Sequence, residues 1–139
     1  MKISTKGRYG LTIMIELAKN FGEGPIPLRQ IAADKGLSEA YLEQLVSPLR
    51  NAGLVKSVRG AYGGYMLANA PTEITAADVI RVLEGPIQPV EGIENEEAPQ
   101  RELWLRIRDA VKNVLDTTTL DDLAKYTDNE IHEGYMFYI

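Results

Sequence analysis

The sequence predicts a mainly α fold with a small β-hairpin: a winged helix-turn-helix domain followed by a long C-terminal dimerisation helix. Three observations carry that prediction. Leu42, Leu45, Val46 and Leu49 recur at the spacing of one buried helical stripe. Two β-rich runs, Leu54 to Arg59 and Tyr65 to Ala68, flank Gly60-Ala-Tyr-Gly-Gly64, the composition of a hairpin with a glycine-supplied tip. Only Gly36 and Leu37 separate the striped helix from a shorter one before it, the close connection that a helix-turn-helix requires.

Taken in order, the first helix is expected from Ser4 to about Asn20, with Leu11, Met14, Ile15 and Ala18 on its inner face. Lys2, Lys6 and Arg8 crowd its start, where the dipole and free amides also favour anions. That end reads either as a seat for a phosphate or as a solvated basic terminus. A turn rich in glycine and proline runs from Gly22 to Pro27. A short helix follows to Lys35, with Leu28, Ile31 and Ala32 inward, closed by Gly36.

Ser38 caps the striped helix and Gly53 stops it. Pro48 lies inside and leaves the Gln44 carbonyl without its helical partner, so one bent helix competes with two short ones broken near Ser47. The apolar phase continues to Leu49, which favours the single helix. Its outer face carries Ser38, Glu39, Tyr41, Glu43, Gln44, Ser47 and Arg50, groups able to hydrogen-bond base edges in a major groove.

Beyond the hairpin, Thr75-x-x-Asp78 has the form of a capping box, with Ile74 and Val79 as its hydrophobic staple. Val79, Ile80, Val82 and Leu83 are that helix's expected buried set, and Gly85-Pro86 ends it. The segment from Gly85 to Pro99 holds four glutamates and three prolines and reads as a loosely ordered surface loop. The long helix, from Pro99 to about Asp116, carries Leu103, Ile107, Ala110 and Val114 on one face and Trp104, Val111 and Leu115 on the next. That width suits packing against a second copy, with a helix lying across its own domain as the rival. A last short helix, again with a Thr119-x-x-Asp122 cap, reaches Tyr126. The expected division is therefore 1–84 for the winged domain, 85–98 for an acidic loop, 99–126 for the dimerisation helix and short helix, and 127–139 for a tail. The tail is aromatic and apolar at its end, so it either folds back or enters a partner's pocket.

Composition bounds the function. The net charge of −5 hides a split: residues 1–66 carry nine Lys/Arg against five Asp/Glu, and residues 67–139 six against fifteen. A basic first half that coincides with a helix and wing favours a DNA-facing surface there. No apolar run approaches the ~20 residues of a membrane span. The start lacks the apolar core of a signal peptide, which makes the cytoplasm the expected compartment. The absence of cysteine excludes disulfides and thiolate metal sites. An enzyme is disfavoured by the single histidine, His132, and by the lack of clustered metal-ligand spacing or a phosphate loop. Gly60 to Gly64 joins two strands rather than opening a helix, so it is not a nucleotide loop.

The start Met1-Lys-Ile-Ser-Thr-Lys-Gly-Arg-Tyr-Gly10, the run Leu37-Ser-x-x-Tyr-Leu-Glu-Gln44, Asn51-Ala-Gly-Leu-Val55, and Ser57-Val-Arg-Gly60 with Gly63-Gly-Tyr65 resemble the BadM/IscR-type (Rrf-two) family of bacterial transcription regulators. The likeness spans essentially the whole chain. It implies a homodimer that binds partly palindromic operators. It also implies that Ser38, Tyr41, Glu43 and Gln44 read the major groove, that Arg59 enters the minor groove, and that Lys6, Tyr9 and Arg50 contact phosphates. Iron–sulfur sensors of this family carry three cysteines in the loop after the fourth helix, and this loop has none, so no cluster and no other cofactor is expected. Within the family, Glu84-Gly-Pro-Ile87, Leu103-Trp-x-Arg-x-Arg-Asp-Ala-Val111 and the terminal Gly-Tyr-Met-Phe-Tyr-Ile resemble the branch that represses cysteine metabolism in complex with the cysteine synthase CysK. That likeness implies a partner-binding role for Phe137, Tyr138 and Ile139, whose apolar end and carboxylate suit peptide capture. A regulator gated directly by a small molecule, held between winged domain and long helix, is the alternative.

Overall fold

The computed structural model describes residues 3–126. Six helices and one hairpin follow in the order α1 (Thr5–Lys19), α2 (Leu28–Lys35), α3 (Glu39–Asn51), β1 (Val55–Val58), β2 (Gly64–Leu67), α4 (Ala76–Glu84), α5 (Ala98–Thr117) and α6 (Leu120–Ala124). Single 3-10 turns at Pro71–Glu73 and Ile93–Asn95 precede α4 and α5. No helix among the described residues is long and apolar enough to cross a membrane.

The core forms where α1, α2, α3, the hairpin and α4 meet. Leu42, Leu45, Val46 and Leu49 are all buried, so the stripe read from spacing is the inner face of α3. Burying each such side chain is worth about 1.5–3 kcal/mol. Helix α3 is continuous through Pro48; the Ala52 amide returns to the Pro48 carbonyl at 3.0 Å. Ser38 Oγ accepts the Tyr41 amide at 3.3 Å, as its capping position demands. At the other end Gly53, with φ +82°, lets the Leu54 amide reach the Leu49 carbonyl at 3.0 Å and turns the chain into β1.

Strands β1 and β2 pair antiparallel, with Val55 opposite Leu67 and Val58 opposite Gly64. The expected turn from Gly22 to Pro27 contains more than a turn: Ile26 pairs with Tyr65 through two backbone bonds of 2.9 and 2.8 Å. Strand β2 therefore lies between β1 and a one-residue third strand. Gly64 makes this approach possible, because a Cβ there would stand 2.4 Å from the Ile26 carbonyl.

Two expectations about buried faces change. In α1 the buried residues are Gly7, Gly10, Ile13, Met14, Leu17 and Ala18, while Leu11 and Ile15 are only partly covered. Leu11, Ile13, Met14, Ile15 and Leu17 offer two apolar faces, and the buried one carries the two glycines that let α4 come close. In α4, Ala76 and Ala77 join Val79, Ile80 and Leu83 inside, and Val82 sits at the margin. The acidic loop is also less loose than its composition suggests. Ile87 is buried with Ala77 and Ile80, and Val111 and Leu115 of α5 pack over them.

Both predicted capping boxes form, at Thr75/Asp78 and Thr119/Asp122. The two caps also pair with each other: Thr75 bridges Thr119, the Ala76 amide donates to Thr118 O, and the Leu120 amide donates to Ile74 O, each at 2.8 Å. Through that bridge α6 returns to α1, with Leu120 fully buried in the main core. Helix α5 has no fully buried residue.

Candidate nucleic-acid interface

The polar face of α3 and the hairpin wing lie side by side. Ser38, Glu43, Gln44 and Arg50 are exposed, and Tyr41 is half-buried. The Ser38 oxygen is engaged as a helix cap, which leaves its hydroxyl proton available to a base edge or phosphate. Tyr41 packs edge-to-face on Tyr9 of α1, with ring centroids 5.9 Å apart and planes at 86°. That contact joins α1 to α3.

Glu43 is not a free carboxylate. Its Oε2 accepts the Tyr65 hydroxyl of β2 at 3.3 Å, tying α3 to the wing. Burial foremost, then the Glu43 charge and hydrogen bond, raise the Tyr65 phenol above its ordinary pKa, and the Arg50 charge opposes them. Tyr65 thus bonds one candidate reader and feels the charge of one candidate phosphate contact. In the sequence Tyr65 stands out only as the start of a β-rich run and the last letter of Gly63-Gly-Tyr65; its single polar side-chain atom, next to two glycines, is the signal for this further role.

Arg59 leaves β1 at the wing tip, exposed and without a hydrogen bond or ion pair among the described residues. Beside it Tyr62 is 95% exposed. Such a projecting cation is suited to a narrow minor groove.

The start of α1 is partly capped from within the chain. Two of the amides that the phosphate reading left open, those of Ser4 and Gly7, are taken by Glu84, from the end of α4. Its carboxylate accepts the Gly7 amide at 3.0 Å, the Ser4 amide at 3.3 Å and the Ser4 hydroxyl. The Ser4 hydroxyl foremost, with the two amides and the Lys6 charge, holds the Glu84 carboxyl below its usual range. Lys6 is exposed beside this cap, where its ammonium is open to a phosphate.

Along α5, Leu103, Ile107 and Val114 are 47%, 39% and 60% exposed. They form one apolar stripe facing away from the chain's own core. Among the described residues no group of His, Cys, Asp or Glu is arranged to hold a metal. Phe137, Tyr138 and Ile139 lie outside the described residues.

Residues 3–126 match the Rrf2 family, described as an iron-dependent transcriptional regulator. The chain belongs to the Rrf2 family of transcriptional regulators. It is 74% identical over 139 residues to the HTH-type transcriptional regulator CymR of Bacillus subtilis, the alignment covering all of both chains. The solved structure of that protein, titled the global cysteine regulator of B. subtilis, superposes with a TM-score of 0.88 over 92% of this chain and 99% of that one. The structure of T. potens IscR, 45% identical, superposes with a TM-score of 0.75 over 99% and 97% of the two chains. The iron of the family description does not carry over through thiolates, since this Rrf2 protein contains no cysteine.

Proposed function

We propose that this Rrf2 protein is a homodimeric repressor of sulfur and cysteine metabolism genes. Two copies, packed along α5, set their α3 helices into successive major grooves of a partly palindromic operator in the cytoplasm. Ser38, Tyr41, Glu43 and Gln44 read base edges, Arg59 enters the flanking minor groove, and Lys6, Tyr9 and Arg50 hold phosphates. The supporting observation is the exposed polar face of α3 beside a wing that ends in a free arginine. The unpartnered stripe on α5 supports the paired assembly. The signal arrives through the cysteine synthase CysK, which takes the C-terminal Phe137, Tyr138 and Ile139.

A titration of the purified protein against duplexes from upstream of sulfur-uptake genes tests the DNA reading. Tight binding, falling steeply with salt, is expected, and indifference to duplex DNA at low salt removes it. Deleting residues 137–139 is expected to abolish heat of binding to CysK while the dimer and its DNA affinity persist.

A second reading rests on the groove between residues 87–94 and α5, lined by Glu91, Glu94, Arg101, Leu105, Arg108 and Lys112. A small-molecule effector held there would shift DNA affinity with no partner protein present, and that shift distinguishes the two.

A further inference from the structure

We propose that Tyr65 is a positioning residue for DNA recognition: it orients the Glu43 carboxylate and so sets the base preference of α3. The inference rests on the reading of Glu43 as a base contact and goes beyond it.

The geometry is specific. The Tyr65 backbone is fixed by bonds in both directions with Ile26, at 2.9 and 2.8 Å, and by its place opposite Ser57 in the hairpin. Its ring packs against the main core. The phenol is thus delivered from rigid scaffold, whereas Glu43 is a long side chain on an exposed helix face with several rotamers available to it. The hydrogen bond from Tyr65 to Glu43 Oε2 selects among them. Because the phenol is the donor, one acceptor site of Oε2 is used, and the rest of the carboxylate, Oε1 included, remains able to accept.

The chemistry follows from that division. A carboxylate oxygen accepts from the exocyclic amines of cytosine or adenine and repels the acceptor edges of guanine and thymine. A carboxylate that swings freely offers that preference over several positions and can retreat from an unfavourable base. One that is tethered favours one base pair and retreats from it less readily. The charge of Arg50, about two turns further along α3, also reaches Tyr65.

The test uses duplexes selected by the full-length wild-type protein from a random pool, then a panel with each base pair substituted in turn. Tyr65→Phe keeps the packed ring and removes only the hydroxyl. The expected result is a three- to tenfold loss of discrimination at one base pair, roughly the worth of one hydrogen bond, with affinity for unrelated duplex unchanged. Glu43→Ala should change preference at the same base pair, and adding Tyr65→Phe to it should change nothing further. If Glu43→Ala shifts the profile and Tyr65→Phe does not, the positioning role is wrong. Equal losses from Tyr65→Phe with and without Glu43 also overturn it, because the hydroxyl then acts elsewhere. An unaltered profile for Glu43→Ala removes the base contact itself, and the proposal with it.

Discussion

Gly10 of α1 lies directly against Leu83 of α4: a Cβ on Gly10 would stand 2.0 Å from Leu83 Cδ1. The absence of a side chain at one residue is what lets the two helices cross so closely. Gly10→Ala is therefore expected to destabilise the fold by about 1–3 kcal/mol through overpacking. Combining it with Leu83→Ala should cost less than the sum of the two single changes, since the second opens space for the first. Urea denaturation of the four proteins measures this, and strict additivity would contradict the contact.

The Glu84 cap gives a pH dependence of known sign. Its folded pKa lies below the ordinary value of 4.5, so its ionised form is bound more tightly in the folded state. The stabilisation is fully present above that ordinary value and is lost as pH falls below it through the folded pKa. Wild type should be more stable than Glu84→Gln at pH 7, and the gap should close in acid. Thermal midpoints taken across pH 3–7 check it; a gap that widens toward acid would reverse the sign.

Arg59 is expected to act on DNA without acting on the fold, because nothing among the described residues holds it. Arg59→Ala should weaken operator binding, relax preference for a flanking A·T-rich segment and reduce the salt slope by about 1. Anisotropy titrations at several salt concentrations read all three. Wild-type affinity in the variant would take Arg59 out of the interface.

The α5 stripe predicts an assembly phenotype. Ile107→Glu introduces a charge where the chain's own core does not reach, so helicity should persist by circular dichroism. If a second copy covers that stripe, sedimentation should report a monomer, with operator binding lost at concentrations where the wild type binds. A variant that still sediments as the wild-type species would move the dimer contact elsewhere.

Local signals carried most of what was legible in the sequence. The α3 stripe, the Ser38 cap, the Gly53 stop and both threonine capping boxes depend on residues within a few positions of one another, and all are present. Long-range pairings were not legible. The Ile26–Tyr65 bridge spans the helix-turn-helix and leaves no periodic trace. Glu84 caps a helix start 77 residues earlier in the chain, and nothing near Gly7 announces it. The phase of α1 was misjudged because Leu11, Ile13, Met14, Ile15 and Leu17 offer two apolar faces. Ile87 was hidden by its neighbours, whose acidity describes the loop but not the one side chain that anchors it.

Helix α5 is clamped near its C-terminal end, where Val111 and Leu115 cover the Ile87 cluster and Asp116 takes both terminal guanidinium nitrogens of Arg81 at 2.9 and 3.2 Å. That joint gives α5 the geometry of a lever arm with its fulcrum at residues 111–116. Its opposite tip lies more than ten residues away, roughly 15–20 Å at the helical rise, so a 10° tilt about the fulcrum sweeps that tip through about 3 Å. Small angular changes at the α4–α5 joint would thus be magnified into changes of spacing between whatever the two ends of the lever carry.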